Sequence, residues 1–243
     1  MTNNIYLITG ATSDIGIALI KTIARKGDKF LLQGHSDFSA LKQLCDDYSI
    51  SADFFDVNLA DTCDTDKFIE KISSFSPTHF IHLPALRVVN TKFKNFDEQR
   101  FLTDINIQIM SAVKICKVIA PKMAKCKFGR ILFMATSYVL ANPPKNTAAY
   151  IMAKNAVVGL AKSLAADYAP YGVTVNCISP SMIETKFLSE TSHIIIEQAA
   201  AAHPMKRNAT VDDIVPAMEF LLSEKAAYIT GVNLPITGGS IIE

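Results

Sequence analysis

Apolar runs of strand length recur along this chain, and each is followed by a stretch whose apolar residues fall at helical spacing. That alternation admits few arrangements other than a parallel sheet covered by helices. Strands are expected at Ile5 to Thr9, Phe30 to Gln33, Ser51 to Asp56, His79 to Leu83, Arg130 to Met134, Thr174 to Ile178 and Asn233 to Ile236. Helices are expected near 15–26, 38–48, 64–74, 97–125, 148–168 and 211–223. Most of the strand runs are apolar at successive positions, as a strand buried on both faces requires. No Pro, Gly or Ser-rich linker and no internal repeat interrupts the pattern, so residues 1–243 read as one α/β domain. The segment at about 181–204 departs from the rhythm. It follows the sixth strand with a loop and a short apolar helix, Ile194 to Ala202, and is expected to form a lid or substrate wall.

Composition removes several functions. Lys and Arg number 24 against 23 Asp and Glu, so no basic excess invites a phosphate backbone, and nucleic acid is not an expected partner. The five cysteines lack CxxC spacing, which argues against a disulfide framework or a zinc ribbon. His79 and His82 lie three apart in a strand and point to opposite faces, so no metal site is expected of them. No run reaches the roughly 18 apolar residues of a membrane span, and the N-terminus has no signal-like pattern, so the expected location is the cytoplasm.

The first strand leads into Thr9-Gly10-Ala11-Thr12-Ser13-Asp14-Ile15-Gly16 at the start of a helical pattern. Gly10 permits a tight turn and Gly16 a close helix, which leaves backbone amides at a helix N-terminus free to face a pyrophosphate. The expected fold is therefore a Rossmann-type, doubly wound, seven-stranded parallel sheet flanked by helices. Asp14 takes the place of a middle glycine; as an ordinary residue it would cap the helix. After the second strand come Gln33, Gly34, His35 and Ser36, with no carboxylate to bind a ribose 2′-hydroxyl, while Asp37 is placed to start the next helix. NADP(H) is preferred on that ground, with NAD(H) as the alternative. Asp56, ending the third strand, is placed to meet the adenine.

Tyr150 and Lys154 open a long helix four residues apart, so both point to one side. A free tyrosine has a pKa of ~10, and a nearby ammonium is expected to lower it, making Tyr150 a general acid or base. The strand ending in Met134 is followed by two hydroxyls, Thr136 and Ser137, either of which would hold a substrate oxygen. Asn106, inside a helical stretch, would anchor a water chain to Lys154.

Taken in order, these segments resemble the short-chain dehydrogenase/reductase family over nearly the whole chain, and 3-oxoacyl-[acyl-carrier-protein] reductases of bacteria in particular. TGATSDIG resembles the family's glycine loop, DIN its helix asparagine, YIMAK its Tyr–Lys pair, and SPSMIET its loop ending in a cofactor-binding threonine. The resemblance implies a ketone reduced to a secondary alcohol, with Tyr150 as acid and Lys154 on the nicotinamide ribose. It implies Ser137 on the carbonyl, counting back from Tyr150, although counting forward from Gly129 and Arg130 selects Thr136. Asn106 would support the proton relay. Cofactor contacts are implied for Gly10, Thr12, Ser13, Asp14, Ile15, Gly16, His35, Ser36, Asp56, Val57, Pro84, Ala85, Tyr150, Lys154, Pro180, Ile183 and Thr185. The chain departs from the family where His82-Leu83-Pro84-Ala85 replaces an Asn-Asn-Ala-Gly segment and Ser181 replaces a glycine.

The first implied substrate is a carrier-bound 3-oxoacyl thioester, with a free small-molecule ketone or a sugar-pathway intermediate as alternatives. Tyr171 stands where a carrier-docking arginine often sits, leaving Lys125, Lys127 and Arg130 as a basic rim. Small residues Ala153, Ala156 and Gly159 on the Tyr150 helix fit self-association as a homodimer or homotetramer. Two other readings stand beside this one: a dinucleotide-binding scaffold without turnover, suggested by Asp14 and the altered fourth strand, and an alcohol dehydrogenase or ketone reductase of a biosynthetic pathway.

Overall fold

The computed structural model describes residues 4–35 and 37–242. Seven strands, β1 (Ile5–Thr9), β2 (Lys29–Gly34), β3 (Ser51–Asp56), β4 (His79–His82), β5 (Gly129–Met134), β6 (Val173–Pro180) and β7 (Asn233–Ile236), form one sheet in the order β3-β2-β1-β4-β5-β6-β7. Every neighbouring pair is parallel. The carboxyl ends of all seven therefore share one edge. The chain order reverses between β1 and β4, and a crevice forms at such a point.

The covering helices are α1 (Asp14–Ile23), α2 (Ser39–Asp47), α3 (Thr62–Ile72), α4 (Glu98–Ile105), α5 (Ser111–Cys126), α6 (Ala148–Tyr168), α7 (His193–Ala202) and α8 (Val211–Leu222). Adjacent strand residues feed two separate cores, because successive side chains point to opposite faces. Leu7, Leu31, Phe80 and Phe133 pack with residues of α3, α5 and α6. Ile8, Leu32, Ile81 and Leu132 pack with residues of α1, α2 and α8. Burying each such side chain contributes roughly 1.5–3 kcal/mol, which explains why strands this short are stable.

The expected helix over 97–125 is instead two helices joined by a π-helical turn, Asn106–Met110. β4 packs against this turn. His82 is fully buried, and its Nε2 stands 3.0 Å from the Gln108 backbone oxygen inside the turn. A carbonyl only accepts, so Nε2 carries the proton and Nδ1 accepts from the Thr9 hydroxyl at 2.7 Å. The imidazole thus bridges β1 to the turn. Burial pushes its pKa down to about 3, which keeps it neutral. His79 reaches the opposite layer, with Nε2 donating to the Leu222 oxygen at 3.1 Å, and burial pushes it down to about 4.

Arg130 does not join a basic rim. It is buried, stacks on Phe128, and donates to the Gly129 and Gly172 oxygens, so only Lys125 and Lys127 of the expected rim are exposed. The five cysteines are all free thiols. Among the described residues, no helix is long and apolar enough to cross a membrane.

Candidate active site

A cleft of about 660 Å³ runs along the carboxyl edge of the sheet, within the size range of small-molecule sites. Its floor begins at the turn after β1. Gly10 adopts φ +70°, a conformation that favours glycine, and a Cβ there would crowd the β4 turn at 3.1 Å from the Pro84 nitrogen. At Gly16 a Cβ would sit 2.6 Å from the Ala11 oxygen, which no side chain allows. The Ser13 hydroxyl caps α1 by accepting from the Gly16 amide and donates to the Gly10 oxygen. Ser13 is thus the helix cap, and the expected capping role of Asp14 passes to its neighbour. The Asp14 carboxylate accepts from the Lys186 amide at 2.7 Å instead.

Gln33, buried at the end of β2, donates to the Val57 oxygen and accepts from the Gly10 amide, tying three strand ends together. No property singled it out in the sequence beyond its position, because its partners come from two distant turns. Asp37 accepts from the Ser39 amide and hydroxyl at the start of α2, as its position suggested. His35 lies 3.4 Å from Asp56, both largely exposed, and neither they nor Val57 line the cleft. Ser36 lies outside the described residues.

Tyr150 and Lys154 sit on the first turns of α6, and both line the cleft. Thr136, at the start of a short 3₁₀ turn, Ser137–Val139, stands beside the Tyr150 phenol, and its hydroxyl opposes the rise in the phenol's pKa. Ser137 is buried beside it on the same wall. Both hydroxyls therefore line the cleft with Tyr150, and the pull of Thr136 on the phenol favours the forward count along β5. Lys154 is almost wholly buried and donates to the Met134 oxygen at 2.8 Å, its Nζ 5.9 Å from the centre of the Tyr150 ring.

The expected fall in the tyrosine pKa is not what the protein alone produces. Burial pushes the Tyr150 phenol up to about 12, against a smaller lowering by the Thr136 hydroxyl, and the ammonium does not offset it. Burial likewise pushes Lys154 down to about 8, opposed by the Asp104 carboxylate. At neutral pH both groups hold their protons. Asn106 opens the π turn and its Nδ2 donates to the Ala60 oxygen at 3.4 Å, so its side chain faces the β3 loop rather than Lys154.

Pro84 and Ala85 line the cleft floor, and Pro180, Ile183 and Thr185 line the facing wall with Thr12 and Ile15 opposite. Ile183 bridges to Ala209, and Asn208 donates to Glu184 and to the Ile196 oxygen, which pins α7 over the opening. Val88, Pro144, Phe187, Leu188 and Ile195 make the outer part of the cleft apolar. The residues present fit a dinucleotide, since the α1 N-terminus and the Tyr150 phenol line one continuous cleft.

Known proteins share this arrangement. The family model described as Enoyl-(Acyl carrier protein) reductase matches residues 10–240. The 3-oxoacyl-[acyl-carrier-protein] reductase FabG of Escherichia coli (strain K12) is 30% identical over 97% of this chain and 96% of its own. The oxidoreductase YmfI of Bacillus subtilis (strain 168) is 28% identical over 98% of both chains. Among solved structures, levodione reductase superposes with a TM-score of 0.89 at 22% identity, over 98% of both chains, a likeness of fold. With a doubly wound sheet, a glycine turn at its switch point and a Tyr–Lys pair on the facing helix, the chain belongs to the short-chain dehydrogenase/reductase family of NAD(P)-dependent oxidoreductases.

Proposed function

We propose that the protein is an NADPH-dependent reductase that converts a ketone to a secondary alcohol, with a 3-oxoacyl thioester as the first substrate to test. The observation that carries the reading is that Tyr150, the Thr136 and Ser137 hydroxyls and buried Lys154 line one cleft that also includes the glycine turn. The bound cofactor supplies a hydride to the carbonyl carbon. Thr136 holds the carbonyl oxygen, in the place that spacing from Tyr150 assigned to Ser137, and the Tyr150 phenol gives that oxygen its proton. The Lys154 ammonium stabilises the phenolate left behind. A phenol held at about 12 is protonated at neutral pH and is ready to act as the acid of a reduction. Asn106 holds the π turn against the β3 loop and supports the relay through that geometry.

Gly10, Thr12, Asp14, Ile15, Pro84, Ala85, Pro180, Ile183 and Thr185 are the residues proposed to line the cofactor's path, with Ser13 and Gly16 shaping the turn. Asp37 is spent on α2, which leaves the β2 end without a free carboxylate and supports NADPH over NADH, with His35, Ser36, Asp56 and Val57 at the adenosine end. The apolar outer cleft suits an acyl chain. The likeness to the Escherichia coli 3-oxoacyl reductase supports the same class, while the burial of Arg130 leaves little basic surface for a carrier protein, so a free thioester is the preferred form. Gly159 is exposed on α6 with open space where a side chain would be, a face suited to pairing two copies, whereas Ala153 is buried in its own core.

The test is oxidation of NADPH and NADH, followed by absorbance, against 3-oxoacyl thioesters of several lengths and small neutral ketones. NADPH-linked turnover of at least one ketone is expected. Tight NADPH binding with no turnover across the panel contradicts the reading and favours a scaffold role.

A further inference from the structure

Asp14 stands where the family's glycine loop has its middle glycine, and its carboxylate points away from that turn. Oδ2 accepts the Lys186 amide at 2.7 Å, and Oδ1 lies 3.9 Å from the Lys186 Nζ. The partners are 172 residues apart in the chain, and both line the cleft. Lys186 opens the 3₁₀ turn Lys186–Leu188 directly after Thr185, and the first amide of such a turn has no partner inside it. Because Ser13 already caps α1, the Asp14 carboxylate is not needed there. A second contact of reversed polarity joins the same wall to the floor, between Arg87 after β4 and Glu190 four residues beyond Lys186.

We propose that Asp14 is a positioning residue that docks the Thr185–Leu188 segment onto the glycine turn, so that the cofactor floor and the substrate wall hold one geometry. Two features of the contact let a carboxylate sit beside a site for phosphates. Its Oδ2 is held by the Lys186 amide, and the Lys186 ammonium 3.9 Å from Oδ1 offsets its charge. Loss of the contact frees residues 185–188 from the floor, and the cost falls on binding of ketone and dinucleotide rather than on the proton transfer at Tyr150. The kinetic consequence rests on the reductase reading above; the docking itself does not.

Hydrogen exchange of the Lys186 amide in the full chain reads the contact without catalysis. In Asp14→Ala this amide is expected to exchange at least about tenfold faster, and in Asp14→Asn, whose side-chain oxygen still accepts, most of the protection returns. KM for ketone and for NADPH is expected to rise several-fold in Asp14→Ala with kcat changed about twofold or less. Should Asp14→Ala not fold, Asp14→Gly restores the glycine of the family pattern and makes the same test. Unchanged exchange at Lys186 in a folded Asp14→Ala or Asp14→Gly overturns the proposal, and so does a loss of protection that Asp14→Asn does not recover. A protein that turns over no ketone, yet shows the exchange pattern, would sink the reductase reading and leave the docking intact.

Discussion

A buried phenol held up to about 12 parts with its proton only when an acceptor develops charge beside it, and Lys154, pushed down to about 8, is the group whose own proton is lost first as the pH rises. The sign follows directly. Below about 8 the ammonium is present and can stabilise the phenolate; above it that stabilisation is lost although Tyr150 is still protonated. Ketone reduction is therefore expected to hold steady from pH 6 to about 8 and then to fall with one proton's slope, as a kcat/KM profile will show. A profile flat to pH 10 would assign no role to the ammonium. Thr136→Ala is expected to lower kcat roughly 10²-fold, the scale of losing one donor to a reacting oxygen, while Ser137→Ala costs about tenfold or less. Equal losses would mean that both hydroxyls face the substrate. The sequence left these two neighbours unresolved because the loop from Tyr138 to Thr147 sets the count back from Tyr150, and its length is free to vary where no core residue pins it.

The elements that were legible in the sequence are those whose own residues decide them. β1 runs over the expected residues because its apolar side chains on both faces demand a strand buried between two helical layers, and the edge strands β3 and β7 run over theirs although they are only half-buried. The break at Asn106 was not legible. It meets an imidazole from β4 that reaches the Gln108 carbonyl, a contact between residues 26 apart that no local spacing announces. The direction of Asp14 was hidden for the same reason, its partner lying far along the chain. Gly16, by contrast, was legible as a packing glycine, and the structure supplies the reason in the Ala11 carbonyl. Gly16→Ala is expected to destabilise the fold by about 1–3 kcal/mol, the usual range for forcing an extra methyl into a tight contact. Urea unfolding measures it, and an unchanged midpoint would mean that α1 shifts freely to make room.

At the scale of the whole molecule, one sheet with a core on each face carries two buried neutral histidines, one contributing to each layer. Their folded pKa values of about 4 and about 3 lie below the free imidazole's 6.5. The unfolded chain therefore binds protons first as the pH falls. The stability they contribute is complete above about 6.5 and is lost progressively down to about 3, at up to about 1.4 kcal/mol per pH unit for each ring. His82→Asn is expected to reduce the pH dependence of the unfolding free energy between 6.5 and 4 by one proton. An unchanged slope would place a charged imidazole in the native protein. All of this structure serves one arrangement, a phenol and an ammonium lining a dinucleotide cleft. The most direct test is NADPH oxidation by the native protein and by Tyr150→Phe on the same ketone, with NADPH binding measured in both. The variant is expected to bind NADPH as the native protein does and to lose roughly 10²- to 10⁴-fold in kcat, the range of a missing general acid. Equal turnover by the two proteins, or no uptake of either dinucleotide by the native one, would contradict the account.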